Sequence, residues 1–265
     1  MSTIQHAKWV YLGQRNPRLS RAAFLQRWLK HRTMGAPPEM GAEFVTADYC
    51  AVAENPPALA GISTEYDAAG LFALASLGAI PLVARFLKTD YIQADEKRFF
   101  NTTSENFSMF CVEDVVRDGE YTKTVVIQFL RRAAALGPTE FTRQWRERHG
   151  GLALDGLPGL SRYVQNTVVA LPPPGFGYDG IAELWFDTPE SATAAAGVLD
   201  GMMTDATLID VKNTFCLLTD VIISRPGKSE TRQGKRLVIC TTPGAPNAQS
   251  IQPQSERAPS KNFFL

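Results

Sequence analysis

The chain holds only three histidines, and two of them stand where proton transfer is possible. His31 and His149 each close a run with helical spacing, after Phe24 and Trp28 in one case and Phe141 and Trp145 in the other. A helix C-terminus stabilises an imidazolium, so a histidine there can exchange a proton near neutral pH. The plain alternative is a capping histidine that shares the last carbonyls. Glu183 is the second candidate. Strand alternation over 181–186 puts Ala182, Leu184 and Phe186 on one face and Ile181, Glu183 and Trp185 on the other. If the apolar set meets helices, Glu183 and Trp185 face a cavity, where burial raises a carboxyl pKa toward a useful range. Its alternative is a salt bridge to Arg162 on the adjoining strand. Tyr163 is placed to donate to a carbonyl or enolate oxygen, or to serve as a half-buried strand tyrosine. Trp185, Asn166, Gln165, Tyr49 and Arg32 complete the candidate set as substrate contacts.

The elements that must position these residues occur twice. Trp9-Val10-Tyr11-Leu12 followed by Phe24 and Trp28 returns as Val126-Ile127-Gln128-Phe129 followed by Phe141 and Trp145, at an offset of 117 residues. Tyr66-Asp67 returns as Tyr178-Asp179, Asp95 as Asp205, and Glu113–Val116 as Thr219–Ile222. Turn aspartates before a strand are a common structural device, so these pairs have a structural reading as well. A period of this length is a duplicated domain, since solenoid repeats run to about 50 residues. Each copy reads strand, helix, strand, strand, helix, strand. In the second, Gly137-Pro138-Thr139-Glu140 opens a helix that Gly150-Gly151 is expected to stop just after His149. The βαββαβ order is the ferredoxin-like pattern, with helices on one face of an antiparallel sheet. The other face needs a partner sheet, and the chain carries one. The expected fold is therefore α+β: two ferredoxin-like domains, 1–119 and 120–226, packed sheet to sheet as a barrel with the site in the cavity between them. A C-terminal extension, 227–265, is polar and proline-rich and reads as an arm.

Composition narrows the function. The 27 basic and 27 acidic residues balance, which argues against nucleic acid as partner. Four cysteines without a CxxC pair read as free thiols in a reducing compartment. There is no secretory leader pattern, and the uncharged stretch 68–84 is better read as a repeat strand than as a membrane span, so a cytoplasmic protein is expected. Glycine-rich phosphate loops, nucleophile elbows and HExxH patterns are absent, and three histidines are few for a metal. No cofactor and no metal are expected.

The second copy resembles the EthD family. The resemblance rests on Leu136-x-x-x-Glu140-Phe141-x-x-x-Trp145-x-x-x-His149-Gly150, on Leu157-Pro158-Gly159-Leu160-x-Arg162-Tyr163, on Tyr178-Asp179-Gly180 through Phe186, and on Asp205. The first copy matches more weakly, with Asp67-Ala68 for the Asp-Gly pair and His31 one residue before the aligned position, Arg32. What the resemblance implies is the dimeric α+β barrel superfamily, whose members include lactone isomerases, cyclases, dehydratases, decarboxylases, cofactor-free monooxygenases and haem proteins. It fixes the fold well and the reaction poorly. The function expected here is a cofactor-independent lyase or isomerase that works by general acid/base chemistry. Its substrate would be a small hydrophobic or aromatic carbonyl compound or acid. The alternatives are a cofactor-free monooxygenase acting on a phenol, and a non-catalytic binding or accessory protein. A homodimer formed through the tail is a further expectation.

Overall fold

The computed structural model describes residues 6–31, 43–170 and 172–226. The first half runs β1 (Ala7–Gly13), α1 (Arg21–His31), β2 (Phe44–Val52), β3 (Ala68–Leu74), α2 (Ile80–Leu87), α3 (Asp90–Glu96) and β4 (Ser108–Arg117). The second half runs β5 (Thr124–Leu130), α4 (Pro138–Gly156), β6 (Leu160–Val168), β7 (Gly180–Phe186), α5 (Pro189–Ala194), α6 (Ala196–Met203) and β8 (Phe215–Pro226). β1 and β5 are offset by 117 residues at both ends, and β3 and β7 by 112. The second helix of each half is broken in two, at Lys88-Thr89 and at Ala195. Arg32, the C-terminal arm and Cys240 lie outside the described residues. Cys50, Cys111 and Cys216 are buried free thiols. Among the described residues no helix is long and apolar enough to cross a membrane.

All eight strands close into one antiparallel barrel in the order β1-β3-β2-β8-β5-β7-β6-β4. The halves meet at two seams, β2 with β8 and β4 with β6. Closure leaves no free sheet edge among the described strands. The central strands β1, β3, β5 and β7 are buried along their whole length. One face turns into the barrel and the other lies under helices, which explains why their sequences are nearly continuous apolar runs.

Apolar side chains occupy much of the space between the sheets. Eight strands enclose a space just wide enough for side chains to fill, and Val10, Leu12, Leu71, Ile127, Phe129, Trp185 and Leu217 fill it. One end is plugged by aromatic rings. Phe176, carried inward by the loop after Pro174, lies 5.3 Å from Phe107 and 5.2 Å from Tyr178, and Phe129 stacks on Phe215 at 4.8 Å. At the other end the linker between the halves brings Tyr121 edge-on to Trp185 at 4.9 Å, beneath the guanidinium of Arg162.

Candidate functional site

Two layers contain the residues singled out in the sequence, and the sheet separates them. The first is the barrel interior. Glu183 and Trp185 point into it, yet Glu183 meets Lys8 rather than Arg162. Lys8 Nζ lies 2.6 Å from Glu113 Oε2 and 3.0 Å from Glu183 Oε1. Asn166 donates to Glu183 Oε1 at 2.8 Å, and the Trp185 indole donates to Oε2 at 3.2 Å. Arg162 pairs instead with Asp118. Burial opposes the charge of Lys8, but Glu113 and Glu183 more than offset it and hold its pKa above the ordinary lysine value. Burial likewise works against ionised Glu113, and Lys8 overcomes it, so that carboxyl sits below its usual range. Nearby, Asp48 accepts from Ser224 Oγ at 2.5 Å while its other oxygen has no partner. Burial raises its pKa to about 7. Glu183 is fully buried, while Glu113 of the same network also lines a recess of about 420 Å³ with Asp118, Tyr121 and Arg162. Lys8, Glu113 and Asp48 went unnoticed in the sequence because single charges inside apolar strands carry no spacing signal.

The second layer lies between the sheet and the helices. Tyr163 and Gln165 belong here, not in the barrel. A bulge between Leu160 and Arg162 sets the strand's facing, and Tyr163 packs with Trp145, Leu184 and Phe186. Gln165 donates to Tyr163 Oη at 2.8 Å and to the Trp145 carbonyl at 3.2 Å. Tyr163 thus accepts from Gln165, and both side chains lie buried against α4 rather than inside the barrel.

His149 is also in this layer, on the stripe Phe141, Trp145, His149 and Ala153 that α4 turns to the sheet. The helix does not stop at Gly150-Gly151 but continues to Gly156. His149 is therefore interior to the helix, and the terminal-dipole argument for its charge fails. It is fully buried, neither ring nitrogen has a hydrogen-bond partner among the described residues, and Asp205 is 3.9 Å away. Burial pushes its pKa down to about 4, against the pull of Asp205. Asp205 is held by Arg148 at 2.5 Å and by Thr207 Oγ1 at 2.7 Å.

His31 differs on every count. It ends α1, is partly exposed, and places Nδ1 2.6 Å from Asp95 Oδ2. With the helices aligned through Trp28 and Trp145, His31 occupies the place of Arg148, not of His149. Both aspartates thus hold a nitrogen partner on the first helix of their half, a guanidinium in the second half and an imidazole in the first. The pair opens on a recess of about 470 Å³ lined by Gln26, Arg27, Lys30, Asp95, Arg98 and Phe99. Phe99 lies 5.1 Å from the His31 ring. Behind it runs an aromatic bank: Trp28 meets Tyr49 at 5.5 Å and donates to Tyr11 Oη at 2.9 Å, and Trp9 stacks on Phe72 at 4.7 Å. Tyr49, like His31, thus lies in the helix layer of the first half.

The repeated turn aspartates are structural. Asp67 accepts the backbone amide of Arg15 at 2.8 Å, and Asp179 accepts that of Arg132 at 2.9 Å. Among the described residues no group of three His, Cys, Asp or Glu is placed to hold a metal ion.

Residues 133–200 match the EthD domain. A search of curated protein sequences finds no match to the chain. Among solved structures the chain is similar to an anthrone oxidase-like protein, at 8% identity over 86% of this chain and 95% of that one, with a TM-score of 0.59. It is also similar to a candidate monooxygenase from Fusobacterium nucleatum, at 7% identity over 86% and 96% of the two chains, with a TM-score of 0.52. At such identities the likeness concerns the fold. The match to the EthD domain thus spans residues 133–200 of an α+β barrel that a single polypeptide closes on itself.

Proposed function

We propose that the protein is a cofactor-independent enzyme that moves a proton on a small aromatic or cyclic carboxylic acid, as a lyase or isomerase, at the His31–Asp95 recess. The observation that supports this is the 2.6 Å contact of His31 Nδ1 with Asp95 at the edge of a recess ringed by Arg27, Lys30 and Arg98. Asp95 fixes the ring and its tautomer, which leaves proton exchange to Nε2. Cationic side chains suit a carboxylate, and Phe99 offers a ring face to an aromatic body. The proton taken from carbon or oxygen returns to the substrate at another position or leaves with a hydroxyl group, so neither oxidant nor cofactor is needed.

The test is solvent-deuterium incorporation and product formation, followed by NMR over a panel of aromatic and cyclic hydroxy and keto acids. His31→Arg is the decisive variant, because Arg148 shows that an arginine at this place keeps its aspartate paired. It should fold with unchanged stability and lose roughly 100-fold or more in turnover, the usual worth of a general acid or base. Full activity in His31→Arg, or no exchange on any acid of the panel, would remove the proposal. A second reading, oxygenation of a phenol without cofactor, draws on the fold shared with the anthrone oxidase-like protein. A phenolate formed at His31 is the electron-rich species such a reaction needs, and dioxygen uptake with a phenolic substrate distinguishes it.

A further inference from the structure

The two seams of the barrel are chemically unlike, although the fold makes them equivalent. Across the β4–β6 seam four neighbouring strands contribute Lys8 from β1, Glu113 from β4, Asn166 from β6 and Glu183 from β7. Glu113 and Asn166 are register partners across that seam. Strand pairing identifies the pseudo-two-fold counterpart of each. Lys8 pairs with Ala73 and Val125 with Trp185, on strands offset by the same repeat, so Val125 stands where Lys8 does. By the same registers Leu71 answers Glu183, Cys50 answers Asn166, and Val221 answers Glu113, two residues on from the Thr219 that the sequence repeat gives, because strand pairing sets the offset there at 108. All four of these counterparts are buried in the apolar interior. One seam therefore carries the Lys8 cluster, whereas the other carries apolar residues at those four positions and a single buried acid, Asp48, bonded across it to Ser224.

We infer that the Lys8–Glu113–Asn166–Glu183 cluster selects which halves pair: it admits a first half against a second half and rejects two like halves from different chains. Two second halves would set Glu183 and Asn166 against Val125 and Val221 at each seam, a buried carboxylate without a cation. Two first halves would set Lys8 and Glu113 against Cys50 and Leu71, with Asp48 in the place of Val164, and the lysine would exchange Glu183 and its Asn166 and Trp185 donors for that single acid. A buried polar group that fixes pairing while adding little stability is the best-attested role of such clusters. The need for selection is built into the chain. The two halves share one topology and are joined by only the short linker between Arg117 and Thr124, and a short hinge favours exchange of halves between chains.

The test uses full-length chains and two charge reversals. In Lys8→Glu three carboxylates meet with no cation. In Glu183→Lys two lysines share Glu113. Each variant is mismatched within its own chain. If the two are unfolded and refolded together, exchange of halves builds one barrel with Glu at 8 and Lys at 183 and a second barrel with the native Lys8 and Glu183. Both barrels are matched, so a heterodimer should form. With the two chains carrying different affinity tags, the doubly tagged dimer should exceed the dimer formed by either variant alone by roughly tenfold. The wild-type chain treated in the same way should give no such species. A doubly tagged fraction no greater than that of the single variants overturns the inference, and so does a wild type that exchanges halves as readily as the mixture. Poor folding of either variant alone does not blunt the experiment, because the readout is the rescue of each by the other.

Discussion

Replacing Lys8 with methionine isolates what the buried cation does. Methionine keeps much of the stem's apolar volume, so packing changes little. The side chain of Lys8 is wholly buried and offsets two carboxylates. Removing one partner of a buried pair costs about 3–5 kcal/mol, because the other charge stays in the interior. Two carboxylates would be stranded, which points to the upper part of that range, while Asn166 and Trp185 still donate to Glu183 and pull it back. We expect a loss of about 4 kcal/mol at neutral pH. For a chain of this size that is a fall in Tm of roughly 8–16 °C. The pH dependence carries the argument further. In the wild type the pKa of Glu113 is lowered, so its contribution is present above the unfolded carboxylate range and is lost as pH falls through the folded value. Without Lys8 burial outweighs what Arg162 still contributes at Glu113, that carboxyl protonates more readily, and the deficit relative to wild type should shrink between about pH 7 and pH 5. Urea unfolding at several pH values measures both. Replacing Lys8, Glu113 and Glu183 together by Val, Val and Leu, the residues at their counterparts, should recover most of the loss. A loss below about 1 kcal/mol for Lys8→Met, or a deficit unchanged by pH, would refute the reasoning.

Three other perturbations have defined signs. His149 stays neutral in the fold until about pH 4, whereas the unfolded chain protonates it near the ordinary histidine value of 6.5. Stability should therefore fall by about 3 kcal/mol as pH drops through that window, and His149→Leu should remove this acid sensitivity in urea titrations. Asp48 has the opposite sign. Its pKa is raised from 3.8 to about 7, so the stability of the neutral form is lost as pH rises through that interval. Asp48→Asn should match wild type near pH 4 and exceed it above neutrality, by about 4 kcal/mol at most. Gly159 has φ +68, and an added Cβ would lie 2.5 Å from Ser191 Oγ. Gly159→Ala should cost about 2 kcal/mol in thermal unfolding.

Much of the fold was legible because repetition and alternation are both long signals. The offset of 117 between β1 and β5 is visible in residue types alone, and the alternation of β7 correctly turned Glu183 and Trp185 inward. The family motifs read as turn and packing devices once placed. Gly159 supplies a left-handed turn, Asp179 anchors a backbone amide, and a Cβ at Gly180 would strike the Trp145 ring at 2.6 Å. What failed depended on one local event in each case. A bulge after Leu160 set which way Tyr163 faces, and α4 ran through two glycines because its buried face continued to Ala153. The partner of Glu183 was illegible for another reason: Lys8 lies 175 positions away in sequence, and nothing local announces such a contact. The same holds for His31, whose partner Asp95 comes from a different helix.

Closing the barrel within one polypeptide changes what a single substitution can do. In a barrel assembled from two identical chains every change is made twice, on both sides of the axis. A lysine at position 8 would then confront a second lysine where Val125 now stands, and neutralising both would require duplicate acids in the same confined layer. A fused pair is free of that doubling. It can place one cation, leave its mirror position aliphatic, and give one helix layer an imidazole at position 31 while the other keeps Arg148. The duplication thus turned a symmetric container into one with a distinguishable front and back, and each half can be altered without dragging the other along.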